Sequence, residues 1–573
     1  MPGFREEIAK VISLSLKERL KQDEVLALLE SPPSAEMGDI AFPCFKLAAL
    51  FKKSPAEIAK HLSQDVKLPA SVEKAEAAGP YLNFFLQKES IAKQAISRIL
   101  KEGASYGKLK ANGKRVMVEY SAPNTNKPLH LGHLRNDSIG MAVCKLLEAA
   151  GCKVIKANLV NDRGIHICKS MLAYRLFGKG KTPARAGLKP DHFVGKYYVL
   201  YNKKAAEKPE LEMQAYEMLT LWEAKDRKTI ALWKKMNEWV LKGFKETYKN
   251  FGSSFDHWFF ESEFYDRAKP LVELGKQKGF FSVNDEGALL ARLENYGLPD
   301  KTVSRADGTS IYITNDLALT RHKFEHFMLD ESIWVVGSEQ NLYFKQLFKI
   351  FELLGFAWAG KCRHLSYGMV FLPSGKLKSR EGIVVDADNI IAEVNCLASK
   401  EVLKRHKKIK KTELSNRARA VGLAAIKFYM LKTAAQKDLH FRPRESISFE
   451  GETGPYIQYT YARAKSILRK AKKTSLQNLL FTQLQSDEAK NLIKLLAQFP
   501  EAVQKSADSL SPHILCQLLI ETAEAFNTFY HRHPVMQAES VELKKERLAL
   551  VQATAQVLKN GLALLNIEAI ERM

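Results

Sequence analysis

With 573 residues and 64.7 kDa, the chain is longer than one core can organise, and roughly three to four domains are expected. Lys and Arg number 88 against 64 Asp and Glu, a net charge of +24 and a pI of about 9.4, so the natural partner is a polyanion. No apolar run approaches the roughly 18 to 20 residues of a membrane span, and the opening MPGFREEIAK lacks a signal-peptide pattern, which favours nucleic acid over a membrane and a cytoplasmic setting.

Residues 1 to about 110 read as a small α+β unit, opening with an amphipathic helix from Phe4 to about Leu20. The stretch from Gly79 to Phe85 reads as an edge strand, and the polar linker Tyr106 to Lys114 closes the unit. Val116 to Tyr120 is then a short buried strand. It ends in Lys127-Pro128-Leu129-His130-Leu131-Gly132-His133, after which Leu134, Ile139, Val143, Leu146 and Leu147 recur at helical spacing up to Gly151. Lys153 to Val160 is a second strand, so strand, helix and strand make a right-handed parallel crossover. Further buried strands at Ile333 to Val336 and His364 to Tyr367 flank a helical run, Leu342 to Leu354. The region between, about 180–330, reads as an insertion of charged helices ending in strand-like pieces at Ala288 to Leu293 and Ser310 to Thr314.

From about 385 the chain reads as helix after helix, at 412–433, 457–473, 486–506, 510–533 and 541–565. The expected architecture is an α/β Rossmann-like parallel-sheet catalytic domain (111–384), preceded by a small α+β N-terminal domain (1–110) and followed by an all-α C-terminal domain (385–573). Within the last, the basic run Lys404 to Lys411 reads equally as a solvated face or a phosphate contact. The seven cysteines are scattered, with no CxxC pair, which points to a reducing compartment and predicts neither disulfide nor structural metal.

The chemistry concentrates where the first strand meets its helix. A His-x-Gly-His turn there presents free backbone N–H groups to a triphosphate. Gly132 allows close approach of a base or ribose, and His130 and His133 can donate to phosphate oxygens without acting as bases. The plainer reading is a pair of turn histidines capping a helix. Just past the last sheet strand, Gly375-Lys376-Leu377-Lys378-Ser379-Arg380-Glu381-Gly382 sets three cations between two glycines. That loop suits a polyphosphate, or else is a solvated basic hairpin.

The two elements together resemble the HIGH-type turn and KMSKS-type loop of the class I aminoacyl-tRNA synthetases, and within them the arginyl-tRNA synthetase family. The resemblance covers nearly the whole chain. It includes Glu119-Tyr120-Ser121-Ala122-Pro123-Asn124, Asp307-Gly308-Thr309 with Tyr312-Ile313-Thr314-Asn315-Asp316-Leu317-Ala318, and Gly454-Pro455-Tyr456-Ile457-Gln458-Tyr459 with Arg463.

What the resemblance implies is a ligase that joins L-arginine to ATP, with Mg2+ as part of the substrate, and passes the arginyl group to the terminal adenosine of arginine tRNA. Catalysis then falls to His130, His133, Lys127, Lys378 and Arg380, with Gly132 and Ser379 also at ATP; Lys127 replaces a second lysine missing from the loop. A guanidinium carries five donors in a plane and needs carboxylate and carbonyl acceptors around it. Glu119 and Asp316 supply the carboxylates, Tyr312 a hydroxyl or ring face, and Asn124 and Gln340 fix the amino-acid end. Tyr459 and Arg463 are placed at the anticodon, and Asn83 and Phe85 at the tRNA elbow, whereas Phe526, Phe529 and Tyr530 read as core. A monomer is expected, and bound tRNA is expected to be needed before arginine is activated.

Three positions depart from the family pattern: Arg163 and His166 in Asn161-Asp162-Arg163-Gly164-Ile165-His166, and Tyr343 after Gln340. A cation at Arg163 facing an arginine pocket is unfavourable, so it is expected to turn away or toward phosphate. The rival readings are a class I synthetase for another amino acid such as lysine, a small-molecule nucleotidyltransferase, and a non-catalytic tRNA-binding paralogue.

Overall fold

The computed structural model describes all residues except Met1, Ser31, Asp266, 306–311, 373–384, 472–475 and 477–478, and leaves out the side chains of Pro2, Ala35, Lys88, Glu89 and Tyr312. Lys378, Ser379 and Arg380 therefore lie outside the described residues. Among those described, no helix is long and apolar enough to cross a membrane.

In the N-terminal unit, helix Pro2–Ser15 buries Phe4, Ile8 and Ile12 from one face, as the helical period dictates. Beside it stand β1 (Ile40–Pro43), β2 (Val72–Ala78) and β3 (Tyr81–Leu86), in the order β1-β3-β2 and antiparallel. The strand expected at the edge is thus the central one, because Phe84 pairs with Ile40 on one side and Ala75 on the other. Burial of Leu82, Asn83, Phe84 and Leu86 is what a middle strand produces; β2, mostly exposed, takes the edge.

The main sheet has five parallel strands, β4 (Arg115–Glu119), β5 (Lys153–Val160), β6 (His257–Phe260), β10 (Glu331–Gly337) and β11 (Cys362–Tyr367), in the order β11-β10-β4-β5-β6. The crossover helix between β4 and β5 is Leu131–Ala149, buried along nearly its whole length. β6 was not foreseen: it lies inside 180–330 and returns the chain to the sheet after helices Pro190–Glu207, Glu210–Glu223 and Arg227–Phe251. Strands β7 (Phe281–Val283), β8 (Leu289–Ala291) and β9 (Lys301–Ser304) then form a small antiparallel sheet. The piece expected as strand at 310–314 is corrected where it can be seen, since helix Tyr312–Phe327 includes Ile313 and Thr314. Their side chains face inward one helical step apart, and the β-branched residues sit there because packing overrides a weak local preference.

From Ala387 on the chain is mostly helical: Ala387–Arg405 comes first, and Lys411–Leu431, Gly454–Lys470, Asp487–Asp508, Pro512–Arg532 and Val541–Leu564 fall close to the five expected spans. This bundle is stitched to the sheet region. β12 (Val370–Phe371) pairs in parallel with β13 (Leu439–His440), and the guanidinium of Arg135 donates to the carbonyls of Met369 (3.0 Å), Ala435 (2.8 Å) and Lys437 (2.6 Å). The N-terminal linker joins in, Tyr106 stacking on Phe499 at 5.9 Å and donating to the Leu496 carbonyl.

Candidate active site

The carboxyl ends of β4, β5, β6 and β10 open onto one crevice, the place where parallel sheets bind ligands. Leaving β4, Ser121 (φ 76°) and Ala122 (φ 48°) adopt left-handed backbone, which costs on the order of 1 to 3 kcal/mol per residue. Two buried amides hold the strain: Asn136 accepts from the Ser121 N–H at 2.6 Å, and Asn158 from that of Ala122 at 3.2 Å. Asn124 follows, bridged to Asn161 at the end of β5 and half-buried at the rim.

His130 is the N-cap of helix Leu131–Ala149. Its Nδ1 accepts from the Gly132 N–H at 3.2 Å, and the His130 N–H donates to Nδ1 of His133 at 3.1 Å, with ring centroids 4.0 Å apart. A side chain at Gly132 would press on the His130 imidazole at 3.0 Å. Burial, then the charge of Lys127, pushes His130 down to about 3; burial with His130 and Lys127 takes His133 well below its ordinary value. Both rings are therefore neutral near pH 7. Since each Nδ1 receives a backbone N–H, the ring proton sits on Nε2, which makes each Nε2 a donor. Burial also lowers Lys127. Behind the turn, Leu131 donates to the Val385 carbonyl (3.1 Å) and Ala387 to that of Leu129 (3.0 Å), bridging Asp386 to His130.

The second half of the crevice is acidic. Glu119 ends β4 and is 4% exposed, but its carboxylate is taken: Lys323 Nζ stands 2.5 Å away, held between the rings of Phe259 (5.3 Å) and Trp334 (5.0 Å). Asp316, seven residues before Lys323 on helix Tyr312–Phe327, accepts from the Tyr343 hydroxyl. Glu261, at the end of β6, accepts from Asn315 Nδ2 at 3.1 Å through Oε1, while its buried Oε2 has no hydrogen-bond partner among the described residues. Burial, then Asp316 and Asp162, raises Glu261 to about 7 against the opposing charge of Arg163; burial, then Glu119, raises Asp316 to about 6 against Tyr343 and Lys323. Neighbouring carboxyls with no counter-ion of their own are uncomfortable as anions, and a cation placed between them would restore both charges.

Arg163 is expected to turn away or toward phosphate; its guanidinium is engaged by other partners, donating to Glu223 at 2.8 Å and lying over Tyr265 (4.5 Å) and Trp222 (5.1 Å), yet it stays near enough for its charge to act on Glu261. His166 Nδ1 lies 3.2 Å from the Tyr198 hydroxyl. Gln340 is exposed in the turn after β10, on the rim. Tyr312 opens the helix that carries Asp316 one turn on. Glu261 and Lys323 escaped the sequence reading. Glu261 follows the run His257-Trp258-Phe259-Phe260, and recognising that apolar run as a parallel strand would have placed a carboxylate at its carboxyl end.

Far from the crevice, Arg463 donates to Asn527 (2.6 Å) and to the Tyr459 hydroxyl (3.0 Å), its guanidinium 4.7 Å from that ring. Phe526 and Phe529 are buried core and Tyr530 is half-buried. Asn83 is buried within β3, whereas Phe85 is half-exposed with Lys74 Nζ 4.4 Å over its ring. In the basic run, Lys404 and Arg405 pair with Glu401.

Three family models match: "tRNA synthetases class I (R), catalytic domain" over residues 95–442, "DALR anticodon binding domain" over 457–573, and "Arginyl tRNA synthetase N terminal domain" over 6–86. The chain is 44% identical to an arginine–tRNA ligase of Treponema denticola, covering 95% of this chain and 94% of that one. It is 40% identical to that of Treponema pallidum, covering 100% and 99%. In structure it is similar to Thermus thermophilus arginyl-tRNA synthetase, with a TM-score of 0.85 at 28% identity over 99% of this chain and 100% of that one.

Proposed function

This chain belongs to the arginyl-tRNA synthetase family of class I, and from that premise we propose which of its residues perform each part of the reaction. It is an arginine–tRNA ligase, activating L-arginine with ATP to arginyl-adenylate and pyrophosphate and then esterifying the 3′-terminal adenosine of arginine tRNA. Neither another amino acid nor a small-molecule nucleotidyl acceptor is favoured.

The guanidinium lies between Glu261 and Asp316, with Tyr343 fixing Asp316, Glu119 closing the floor through Lys323, and Tyr312 at the mouth. Asn124 and Gln340, on opposite rims, hold the amino-acid end. ATP arrives with Mg2+ as substrate and lies over Gly132. The Nε2–H groups of His130 and His133 and the ammonium of Lys127 face the phosphates, with Lys378, Ser379 and Arg380 completing the charge. The arginine carboxylate attacks the α-phosphorus in line as pyrophosphate leaves, and the protein contributes positioning and neutralisation. The helical region reads the anticodon with Tyr459 and Arg463, and the N-terminal unit meets the tRNA elbow, Phe85 being better exposed for this than Asn83. Boundaries at 110 and 384, a monomeric state, a cytoplasmic setting and a need for tRNA before activation belong to the same reading.

The observation that carries it is the buried pair Glu261 and Asp316, raised to about 7 and about 6 with Lys323 already committed to Glu119. A planar, singly charged fork of five N–H donors can reach two carboxylates at once, which the single point of a lysine ammonium does less well. Charging total tRNA with each of the twenty labelled amino acids tests it: only arginine should be esterified, and comparable charging with lysine would overturn the assignment of the pocket.

A further inference from the structure

Helix Pro190–Glu207 grips the ATP cradle from outside through two separate contacts. First, His192 Nε2 lies 3.0 Å from Asp386 Oδ2 and 3.2 Å from Asp388 Oδ2. Lys189, the N-cap, donates to Asp388 at 2.6 Å, to Asp191 at 3.2 Å and to Thr247 at 2.5 Å. Asp386 caps and Asp388 opens helix Ala387–Arg405, and Asp386 lies within the Val385–Ala387 backbone that is hydrogen-bonded on both sides of His130. Second, one turn further along, a Cβ on Gly195 would stand 2.7 Å from Pro128 Cδ and 3.5 Å from Lys127 Cα. Only glycine lets the helix lie that close to the chain entering the turn.

The carboxylates and imidazole of Asp191, His192 and Asp388 are close enough for a metal ion, but the Lys189 ammonium already bonds both carboxylates. The cluster is held as charges: the bonds to Asp386 and Asp388 push His192 up to about 10, and the bonds from His192 and Lys189 outweigh burial to take Asp388 down to about 2.

We propose that Lys189, His192 and Gly195 are positioning residues for the activation step, clasping the Lys127–His130 turn between helix Pro190–Glu207 and the Asp386–Asp388 segment so that Lys127 and His130 face the phosphates. The clasp acts on ATP rather than on arginine or tRNA, because one contact falls on the turn itself and the other on the segment hydrogen-bonded to it, and neither on the acidic pocket. It rests on the reading of that turn as the ATP site.

The test is pyrophosphate exchange in the presence of arginine tRNA, and tRNA binding, by the full chain carrying His192→Gln or Gly195→Ala, with His130→Ala in parallel. Displacing the turn by a fraction of an ångström should raise KM for ATP about fivefold or more and lower kcat about tenfold, with KM for arginine and Kd for tRNA within about twofold. Should His192→Gln fail to fold, Gly195→Ala puts the same question from the other contact. ATP parameters within about twofold of the parent in the folded variants, with His130→Ala crippled, would overturn the clasp. Equal loss of ATP, arginine and tRNA parameters would do the same, marking a purely structural role. A silent His130→Ala would instead remove the ATP reading of the turn.

Discussion

Lys323 and Glu119 form a buried ion pair at 2.5 Å on the floor of the acidic pocket, both side chains at most 5% exposed. The pair engages the Glu119 carboxylate, so on the function proposed above recognition falls to Asp316 and Glu261. Glu119→Gln should strand the Lys323 cation next to a cationic substrate. Loss of one partner of a buried pair costs about 3 to 5 kcal/mol, so both the melting temperature and arginine affinity should fall. Asp316→Asn should raise KM for arginine at least as far without lowering the melting temperature. Thermal denaturation alongside arginine titration separates the two, and an unchanged melting temperature in Glu119→Gln would show that the pair carries no stability.

Glu261 gives a pH signature of opposite sign in stability and in binding. Its carboxyl is raised to about 7 in the folded chain, from an ordinary value of 4.5. The folded state therefore holds a proton that the unfolded state has released, and stability declines as pH rises from about 4.5 to about 7. Glu261→Gln removes that penalty, so above pH 7 the variant should be more stable by on the order of 3 kcal/mol, the difference vanishing near pH 4. On the function proposed above arginine binds the Glu261 anion, and in the parent its KM should rise as pH falls below 7. Denaturant melts at pH 4.5 and 8 check the first effect and arginine titrations across the same range the second.

The fold was legible wherever the apolar period ran long. The crossover from β4 through Leu131–Ala149 to β5 and the helices past 411 show their repeats plainly. β6 was not, because His257-Trp258-Phe259-Phe260 is four residues embedded among charged helices, and an apolar run that short does not distinguish strand from helix. β3 reads as an edge strand from sequence because its position in the sheet depends on partners distant along the chain. The cradle could be read because His130, Gly132 and His133 are neighbours. The acidic pocket was only half visible, since Glu261 and Lys323 reach it from elements whose convergence is a property of the sheet order. Glu119, at the end of a strand, carried no sign that a lysine some two hundred positions away would claim it.

Because His130 and His133 are neutral donors, the rate of ATP-pyrophosphate exchange at saturating arginine should show no histidine titration between pH 6 and 8. A glutamine at 133 can still accept from the His130 N–H, as a capping-box residue does, and donate through Nε2. His133→Ala should lose about 2 to 4 kcal/mol of barrier lowering, and His133→Gln should recover much of it. An imidazole acting as base would instead give a glutamine variant as slow as the alanine one.

Arg463 tests how the helical region holds RNA. Its guanidinium is already engaged with Asn527 and with both the hydroxyl and the ring face of Tyr459, so its main effect on RNA should run through that ring, which it fixes for stacking. An unpaired base stacked on an aromatic ring contributes about 1 to 3 kcal/mol. Tyr459→Ala should therefore weaken tRNA binding by that amount, and Arg463→Ala by a similar amount because the ring loses its support. A phosphate contact would release a counter-ion, and its loss would shift the slope of log affinity against log salt by about 0.7 for single-stranded RNA. Arg463→Ala should leave that slope unchanged, and the double variant should be little weaker than either single one. A reduced slope in Arg463→Ala, or additive losses in the double variant, would mean that the guanidinium leaves Asn527 to grip the backbone directly.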